Sequence, residues 1–173
     1  MTDENKISHT RPGQTGRVVQ VSVNPRGGVP KYRVPEARLL PHNVEGDKQR
    51  NLKFHGGPER AVCLFSWEVI RELQEEGHSI DCGTTGENLT LGGIDWSLLA
   101  PGVQLQIGDE ALIEITRPTT PCKTIEASFT DGYFNRIHHQ KFPRETRYYA
   151  RIINEGIVRE GDSVTICLLP DSH

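Results

Sequence analysis

One pattern occurs twice in this chain, in "PGVQLQIGDEALIEITRP" at 101–118 and in "EGIVREGDSVTI" at 155–166. Each segment has a glycine, a short run of β-forming residues, a Gly-Asp pair and a second β-forming run, which is typical of a β-hairpin. Turn signals also separate the other short apolar runs, since the chain has 17 glycines and 11 prolines. The sequence therefore predicts a mainly β fold, a closed or partly closed β-barrel.

About three helices are expected beside this barrel. Between 66 and 76 the apolar residues recur at helical spacing, Ser66 can cap the first turn and Gly77 can end the helix. Two further segments are predicted to be helical, "DGYFNRIHHQ" at 131–140 and "RETRYYARIINEG" at 144–156. The helices would then serve as lids or struts on one barrel.

Length, charge and hydropathy limit the class of protein. A chain of 173 residues suits one domain, predicted over 16–173, after a polar N-terminus that is predicted to be disordered over 1–15. The formal net charge of −3 gives no overall attraction to a nucleic acid polymer or an anionic membrane. The apolar runs are far shorter than a membrane span, and the N-terminus has no hydrophobic signal core. We therefore expect a cytoplasmic protein that binds neither of these partners.

The four cysteines are widely spaced and form no CxxC pair, which predicts free thiols in a reducing compartment. Cys63 and Cys167 lie among apolar β-forming residues and are expected to be buried as small hydrophobes. Cys82 and Cys122 lie in loop segments instead. These two are the candidates for thiol chemistry.

Protein side chains alone do not predict a metal centre. Zinc sites built from cysteine pairs are excluded by the spacing of the cysteines. His138 and His139 are adjacent, and adjacent residues on a helix point apart, so both cannot face one ion. This histidine pair is expected at the surface.

The segment "TRPTTPCKTIEASF" at 116–129 contains the more conspicuous of the two candidate thiols. Pro118 and Pro121 leave the chain few conformations, so Cys122 is expected to be held in one position. Arg117 and Lys123 would favour the thiolate form, which is the nucleophile and the metal ligand. The alternative is a proline-rich turn with an unreactive cysteine, and the residues alone favour that alternative.

Two further loops could bind an anion. "GTTGENLT" at 83–90 offers backbone amides, the hydroxyls of Thr84 and Thr85 and the Asn88 side chain as a cradle for phosphate or a polar heterocycle. It lacks the spacing of a nucleotide P-loop. "KFHGGPERAV" places His55 and Arg60 on either side of two glycines, where they could hold an anion. The alternative for both loops is a structural or solvated turn.

Taken in order, five segments of the chain resemble the MOSC domain, the module found at the C-terminus of molybdenum-cofactor sulfurases and in small stand-alone bacterial proteins. They are "SVNPRGGVPKYRVPEARL", "VEGDKQRNLKFHGGPERAV", "GTTGENLTLGGID", "LQIGDEALIEITRPTTPCKTI" and "EGIVREGDSVTI". The resemblance extends from about Gly16 to Ile166. It implies a β-barrel similar to the pyruvate-kinase barrel domain, with a binding groove that contains one family cysteine.

Cys122 matches that cysteine. In the family it is thought to carry a sulfur atom or, in the amidoxime-reducing members, to ligate the metal of the molybdenum cofactor (Mo-molybdopterin). Lys31 and Gly28 occupy the region where the amidoxime-reducing proteins have a Lys-Ser pair that holds the cofactor. The other residues that match groove-lining segments of the family are Arg117, Thr85, Asn88, His55, Gly56 and Arg60.

The resemblance therefore implies a cofactor-binding protein, the terminal component of a reductase that acts on N-hydroxylated small molecules. The chain has no iron–sulfur cysteine cluster and no nicotinamide or flavin motif, so electrons would come from a partner protein. One alternative is a sulfur carrier that receives a persulfide on Cys122 from a cysteine desulfurase. Another is a non-catalytic protein that stores or delivers the cofactor, and a barrel without any ligand ranks last.

Pyridoxal phosphate is connected with the family only through the long sulfurases. In those proteins a separate pyridoxal-phosphate domain generates the sulfur. The present sequence has no room for that domain. Desulfurase activity of its own is therefore not expected.

Overall fold

A computed structural model describes residues 15–49 and 56–169. These residues form ten strands and one α-helix, whose bounds follow in chain order. They are β1 Thr15–Val23, β2 Tyr32–Val34, β3 Glu36–Leu39, β4 Val62–Ser66, α1 Trp67–Glu75, β5 Leu89–Gly92, β6 Gln104–Ile107, β7 Ala111–Thr119, β8 Arg147–Asn154, β9 Gly156–Arg159 and β10 Ser163–Leu168.

Seven of the described strands close into a barrel in the order β10-β6-β7-β8-β4-β5-β1, and β1 pairs again with β10. Neighbouring strands are antiparallel except β4 and β5, which are parallel and are joined by the crossover that contains α1. Strand β2 extends the sheet beside β1, and β3 pairs with β9 outside the barrel. The predicted mainly β fold with a closed barrel is confirmed.

Two apolar clusters stabilise the fold. The barrel interior is filled by side chains such as Leu64, Leu105 and Ile113, none of them exposed to solvent. A second cluster packs β4 and α1 against the long segment that follows β7, and it includes Phe65 of β4, Ile70 of α1 and Ile125 of that segment. Because Ile125 is buried there, this cluster also anchors the chain just after Cys122.

The predicted helix at 66–76 is confirmed. Ser66 caps it, since its Oγ accepts a hydrogen bond of 3.2 Å from the backbone amide of Val69, and Val69, Ile70 and Leu73 form the buried face. No helix of the described ranges is long and apolar enough to cross a bilayer.

The two other helix predictions differ from the structure. Residues 131–140 form short 3-10 turns, at Thr130–Gly132 and Phe134–Ile137. The prediction at 144–156 is wrong, because 147–154 forms β8 between β4 and β7. Four successive residues at the start of β8 are buried, since Tyr148 and Ala150 face the barrel interior while the two residues that alternate with them face a groove. A strand that is buried on both faces does not alternate between apolar and polar residues, so its sequence lacks the two-residue pattern that predicts a strand.

Only the first of the two predicted hairpins forms. Strands β6 and β7 pair across the Gly108–Asp109 turn, whereas β9 pairs with β3 and β10 pairs with β1 and β6. At the second Gly-Asp pair the Gly161 amide donates to the Val18 carbonyl and the Val18 amide donates to the Asp162 carbonyl, both at 2.8 Å. This turn binds β1 and directs the chain into the barrel, so the second hairpin prediction is wrong.

The predicted disordered segment 1–15 lies outside the described residues except for Thr15, which begins β1. The predicted domain boundary at residue 16 stays a prediction.

Candidate functional site

A groove of about 810 Å³ opens where several loops meet one end of the barrel. Its walls come from the loop after β1, the loop before β5, the ends of β7 and β8, and the segment that follows β7. The described lining residues are Gly28, Val29, Lys31, Lys48, Gln49, Arg60, Cys63, Thr85, Gly86, Asn88, Arg117, Pro118, Thr120, Pro121, Cys122, Thr124, Ile125, Arg147 and Tyr149. A groove of this volume is large enough for a cofactor-sized molecule.

The Cys122 segment is anchored on both sides. On one side, β7 remains paired with β8 as far as Thr119. Glu114 is the last residue of β7 that pairs with β6, so Pro118 lies beyond the end of the pairing with β6. A proline at that point costs no ladder hydrogen bond. On the other side the Ile125 amide donates to the Cys122 carbonyl at 3.2 Å and begins the 3-10 helix Lys123–Ser128.

The Cys122 thiol itself is exposed and lines the groove. Its Sγ lies 2.9 Å from the Thr124 hydroxyl oxygen. A thiol that is both fixed by its backbone and open to a ligand can act as a metal ligand or as a nucleophile. The geometry is therefore compatible with either kind of chemistry.

A bulge in β7 positions a second part of the groove. The register shifts between Ile115 and Arg117, and the Thr116 hydroxyl at the bulge donates to the carbonyls of Glu59 and Tyr149. The 3-10 turn Pro58–Arg60 is thereby tied to the barrel. The Arg60 guanidinium lies 5.8 Å from the centre of the Tyr149 ring, a cation–π distance, so both side chains are held on the same wall.

The loop at 83–88 uses the Thr85 hydroxyl for a hydrogen bond within the loop. Glu87 is fully buried, and its carboxylate accepts hydrogen bonds of 2.6 Å from the Gly83 amide and from the Thr85 hydroxyl. Burial raises the pKa of this carboxyl. The loop has thus folded around an acid of its own, and the Thr85 hydroxyl donates to that acid.

Asn88 is also used internally. Its Oδ1 accepts from the Cys63 amide at 3.1 Å, and its Nδ2 donates to the Ser22 carbonyl at 3.2 Å and to Asp47 at 2.9 Å. Asp47 in turn accepts from the Asn24 amide and forms an ion pair with Lys31. Asn88 therefore fixes the floor of the groove and holds the counter-ion of a lining lysine.

The lining residues are strongly cationic. Within the part of the chain that the structure describes, they include no carboxylate. They include five basic side chains, which are Lys31, Lys48, Arg60, Arg117 and Arg147. Such a groove attracts anions. No group of three or more histidine, cysteine, aspartate or glutamate residues suited to a metal ion occurs within 15–49 and 56–169.

Most predicted site residues lie together. The groove includes Cys122, Arg117, Thr85, Asn88, Arg60 and Lys31, as well as Gly28. Gly56 is described but does not line it, and His55 lies outside the described residues. The individual roles assigned to these residues stay predictions.

The other cysteines differ in position. Cys63 is buried as predicted, and it also lines the groove with its Sγ 3.7 Å from the Thr119 hydroxyl. Cys167 is exposed, so its predicted burial is wrong, because Val164 and Ile166 take the inward positions of β10. Cys82 lies outside the groove, and burial raises its pKa to about 11, so its thiolate is scarce near neutral pH.

His138 and His139 do not point apart. Their rings stack with centroids 4.7 Å apart, because the 3-10 turn ends at Ile137 and His138 has an extended backbone. Both are half-buried rather than fully at the surface. Adjacent residues point apart only on a helix, and the 3-10 turn has already ended before His138.

Sequence reasoning missed two groove residues on β8, Arg147 and Tyr149. Both fall in the segment that was predicted to be a helix, where they would have pointed in unrelated directions. In the strand they are two residues apart and face the same side. Burial raises the pKa of the Tyr149 phenol, which therefore stays protonated near neutral pH.

A family model described as the MOSC domain matches residues 51–165. The protein YiiM of Escherichia coli (strain K12) is 32% identical over 120 residues, which are 66% of this chain and 53% of that protein. The uncharacterized protein YflK of Bacillus subtilis (strain 168) is 30% identical over 129 residues, 74% of this chain and 57% of that protein. The chain thus spans about half the length of these two relatives.

A protein named "Reductase" from Gibberella moniliformis (strain M3125 / FGSC 7600) is 25% identical over 142 residues, which are 73% of this chain and 23% of that protein. Among solved structures, YiiM from Geobacillus stearothermophilus has a TM-score of 0.66 at 19% identity and covers 88% of this chain and 75% of its own. The Escherichia coli YiiM structure has a TM-score of 0.67 at 23% identity, with 91% and 72% covered. These two structures share the fold.

Proposed function

Since the chain belongs to the MOSC domain family, which is associated with molybdenum-cofactor biology, we propose that its groove binds the molybdenum cofactor with Cys122 as the protein ligand of the metal. The chain would act as the terminal component of a reductase for N-hydroxylated small molecules, with electrons from a partner protein. We place this activity in the cytoplasm, where free thiols persist.

One observation carries the proposal: an exposed thiol, fixed by its backbone, lies in a groove lined by five basic side chains, of which Lys31 is paired with Asp47. A thiolate is a soft ligand of the kind that molybdenum binds well. Arginine and lysine side chains suit the anionic phosphate of a pterin cofactor. The groove therefore offers both kinds of group that this cofactor needs.

The residues present fit the cofactor at both ends. Cys122 would hold the metal, and the cationic side chains would hold the anionic end. When bound, the cofactor supplies a metal centre that can take electrons from a partner and transfer them to an N–O bond. The Tyr149 phenol, which burial keeps protonated near neutral pH, lies on the wall of the same groove.

The reductase part of the proposal is supported by the relative that is named "Reductase". That protein is about four times the length of the matched region, since the match is 23% of it. On this proposal, the electrons for the present chain come from a partner protein.

A sulfur carrier is the second candidate function. The observation that favours it is the exposure of Cys122, because a persulfide on a partner protein can reach an exposed thiol. A cysteine desulfurase would then be the partner. A non-catalytic protein that stores or delivers the cofactor would use the same groove and would reduce nothing.

Metal content tests the proposal. The protein is expressed in a host that makes molybdenum cofactor, and bound molybdenum is measured for wild type, Cys122→Ser and Cys167→Ser. Cys167 is a matched control because it is also an exposed cysteine and lies outside the groove. We expect near-stoichiometric metal in wild type and Cys167→Ser, and loss of the metal in Cys122→Ser.

Equal metal in all three proteins would rule out Cys122 as the ligand. Absence of metal from all three, with a persulfide on Cys122 after incubation with a desulfurase, would favour the sulfur carrier. If the metal binds, reduction of an N-hydroxylated base with a chemical electron donor separates the reductase from a storage protein.

A further inference from the structure

Arg147 is a buried cation whose hydrogen bonds are incomplete. Its side chain is only 6% exposed, and one Nη donates to the Thr85 carbonyl. Its Nε is buried and has no hydrogen-bond partner within the described ranges. Burying a charged donor without a partner is costly, and buried charges are normally paired.

Glu87 interacts electrostatically with Arg147 but does not form an ion pair with it. No ion pair of Arg147 occurs within the described ranges, and the Glu87 oxygens accept from Gly83 and Thr85. Burial also raises the pKa of Glu87 and favours its neutral form. Lys31 in the same groove is different, since Asp47 neutralises it directly. Arg147 thus keeps a positive charge at the groove floor.

We propose that Arg147 is the anchor of an anion subsite on the groove floor, and that the group bound there is a phosphate monoester. The inference deepens the proposed function and rests on it for the source of the phosphate. A planar guanidinium binds phosphate oxygens through paired hydrogen bonds. The Thr85 carbonyl orients the guanidinium from one side, which leaves the groove side for the ligand.

The subsite lies within reach of the thiol. Thr119 is the cross-strand partner of Arg147, and Cys122 follows three residues later. A strand pair plus three extended residues separates the two Cα atoms by at most about 16 Å. One elongated ligand can therefore contact Cys122 at one end and Arg147 at the other.

Binding of inorganic phosphate tests the subsite without any cofactor. The increase in Tm with phosphate at constant ionic strength gives the affinity for wild type, Arg147→Met and Arg151→Met. Arg151 is a matched control, because it lies on the same strand with a buried, unpartnered Nε and does not line the groove. We expect a loss of affinity of about 10- to 100-fold in Arg147→Met and no loss in Arg151→Met.

A conservative variant covers the case in which Arg147→Met does not fold. Arg147→Lys keeps the charge without the planar pair of donors, and we expect it to lose several-fold in phosphate affinity. Equal affinity in wild type and in the folded Arg147 variants would overturn the inference. So would a wild-type protein whose Tm does not respond to phosphate.

Failure of this inference is distinguishable from failure of the proposed function. Cofactor content after expression in a cofactor-producing host is compared for the same three proteins. If metal binds equally to all three proteins and phosphate affinity does not depend on Arg147, the subsite is refuted and the proposed function stands. If phosphate affinity depends on Arg147 but the protein never binds metal, the proposed function is refuted and the subsite stands.

Discussion

Replacing Asn88 by alanine is expected to lower the free energy of unfolding by about 3 kcal/mol. The Asn88 side chain is 2% exposed and lies between β1 and β4. It accepts a hydrogen bond from the Cys63 amide, and it donates to the Ser22 carbonyl and to the Asp47 carboxylate. Truncation removes all three hydrogen bonds at once.

The magnitude follows from the kind of each hydrogen bond. The two to neutral backbone groups contribute about 1 kcal/mol each, and the one to the Asp47 carboxylate about 1.5–3 kcal/mol. Water that enters from the adjacent groove would recover part of this sum, which leaves about 3 kcal/mol. That is a large share of a total stability of about 5–15 kcal/mol.

Equilibrium unfolding in urea measures this loss. The midpoint should fall for Asn88→Ala while the m-value stays unchanged, since the folded barrel remains equally compact. Asn154→Ala, at an exposed position on β8, is the control and should stay within about 0.5 kcal/mol of wild type. A loss below about 1 kcal/mol for Asn88→Ala would refute the role of this amide as a cross-link beneath the groove.

Three other perturbations test separate parts of the structure. Glu87→Gln should become more stable relative to wild type as pH rises from about 5 to about 8. Burial raises the folded-state pKa of the Glu87 carboxyl, so this group stabilises the fold below its ordinary pKa and loses that contribution as it ionises. A difference in unfolding free energy between the two proteins, measured in urea, that stays constant across this range would contradict the burial of an ionising group. Gly83→Ala should cost about 2–4 kcal/mol, because a Cβ would lie 2.3 Å from the Lys31 carbonyl at a φ of +82°. Gly77→Ala, at a φ of +99° with no atom near the added Cβ, should cost only about 1 kcal/mol; equal thermal shifts would disprove the close approach at Gly83. Arg136→Met should lower the free energy of unfolding by about 1–2 kcal/mol, since Arg136 forms ion pairs with both Glu76 and Glu145, and this loss should shrink in high salt. A loss in urea unfolding that does not depend on salt would indicate that Arg136 stabilises the fold by packing on Phe142 instead.

Local chemistry determined the parts of the fold that the sequence predicts well. The helix α1 has a capping serine, a single apolar face and a terminal glycine, and these signals depend only on neighbouring residues. The hairpin of β6 and β7 depends on one turn and alternating side chains. Both features need no knowledge of distant segments.

Long-range pairing decided the parts that were missed. The start of β8 is buried on both faces, so its sequence shows no alternation, and only its position between β4 and β7 makes it a strand. The second Gly-Asp turn binds β1 rather than forming a hairpin, which no local pattern indicates. Cys167 is exposed because it lies on the outer face of β10, although apolar residues flank it in sequence.

The candidate site was predictable by resemblance and much less by chemistry. Six of the predicted residues line one groove, because the matched family segments meet there in space. The buried acids beneath it were not predicted as structural groups, since nothing in "GTTGEN" indicates that Glu87 turns inward to accept from its own loop. Arg147 was hidden by the wrong helix prediction.

The central claim is that the Cys122 sulfur contacts the cofactor in the groove, and thiol alkylation tests it most directly. The protein is purified from a cofactor-producing host, treated with iodoacetamide before and after removal of the cofactor by denaturation, and analysed by peptide mass spectrometry. We predict that Cys122 is protected before removal and reactive afterwards, while the exposed Cys167 reacts in both states. A Cys122 that reacts fully as a simple thiol while molybdenum is bound, or that carries an extra sulfur atom and no metal, would contradict cofactor ligation.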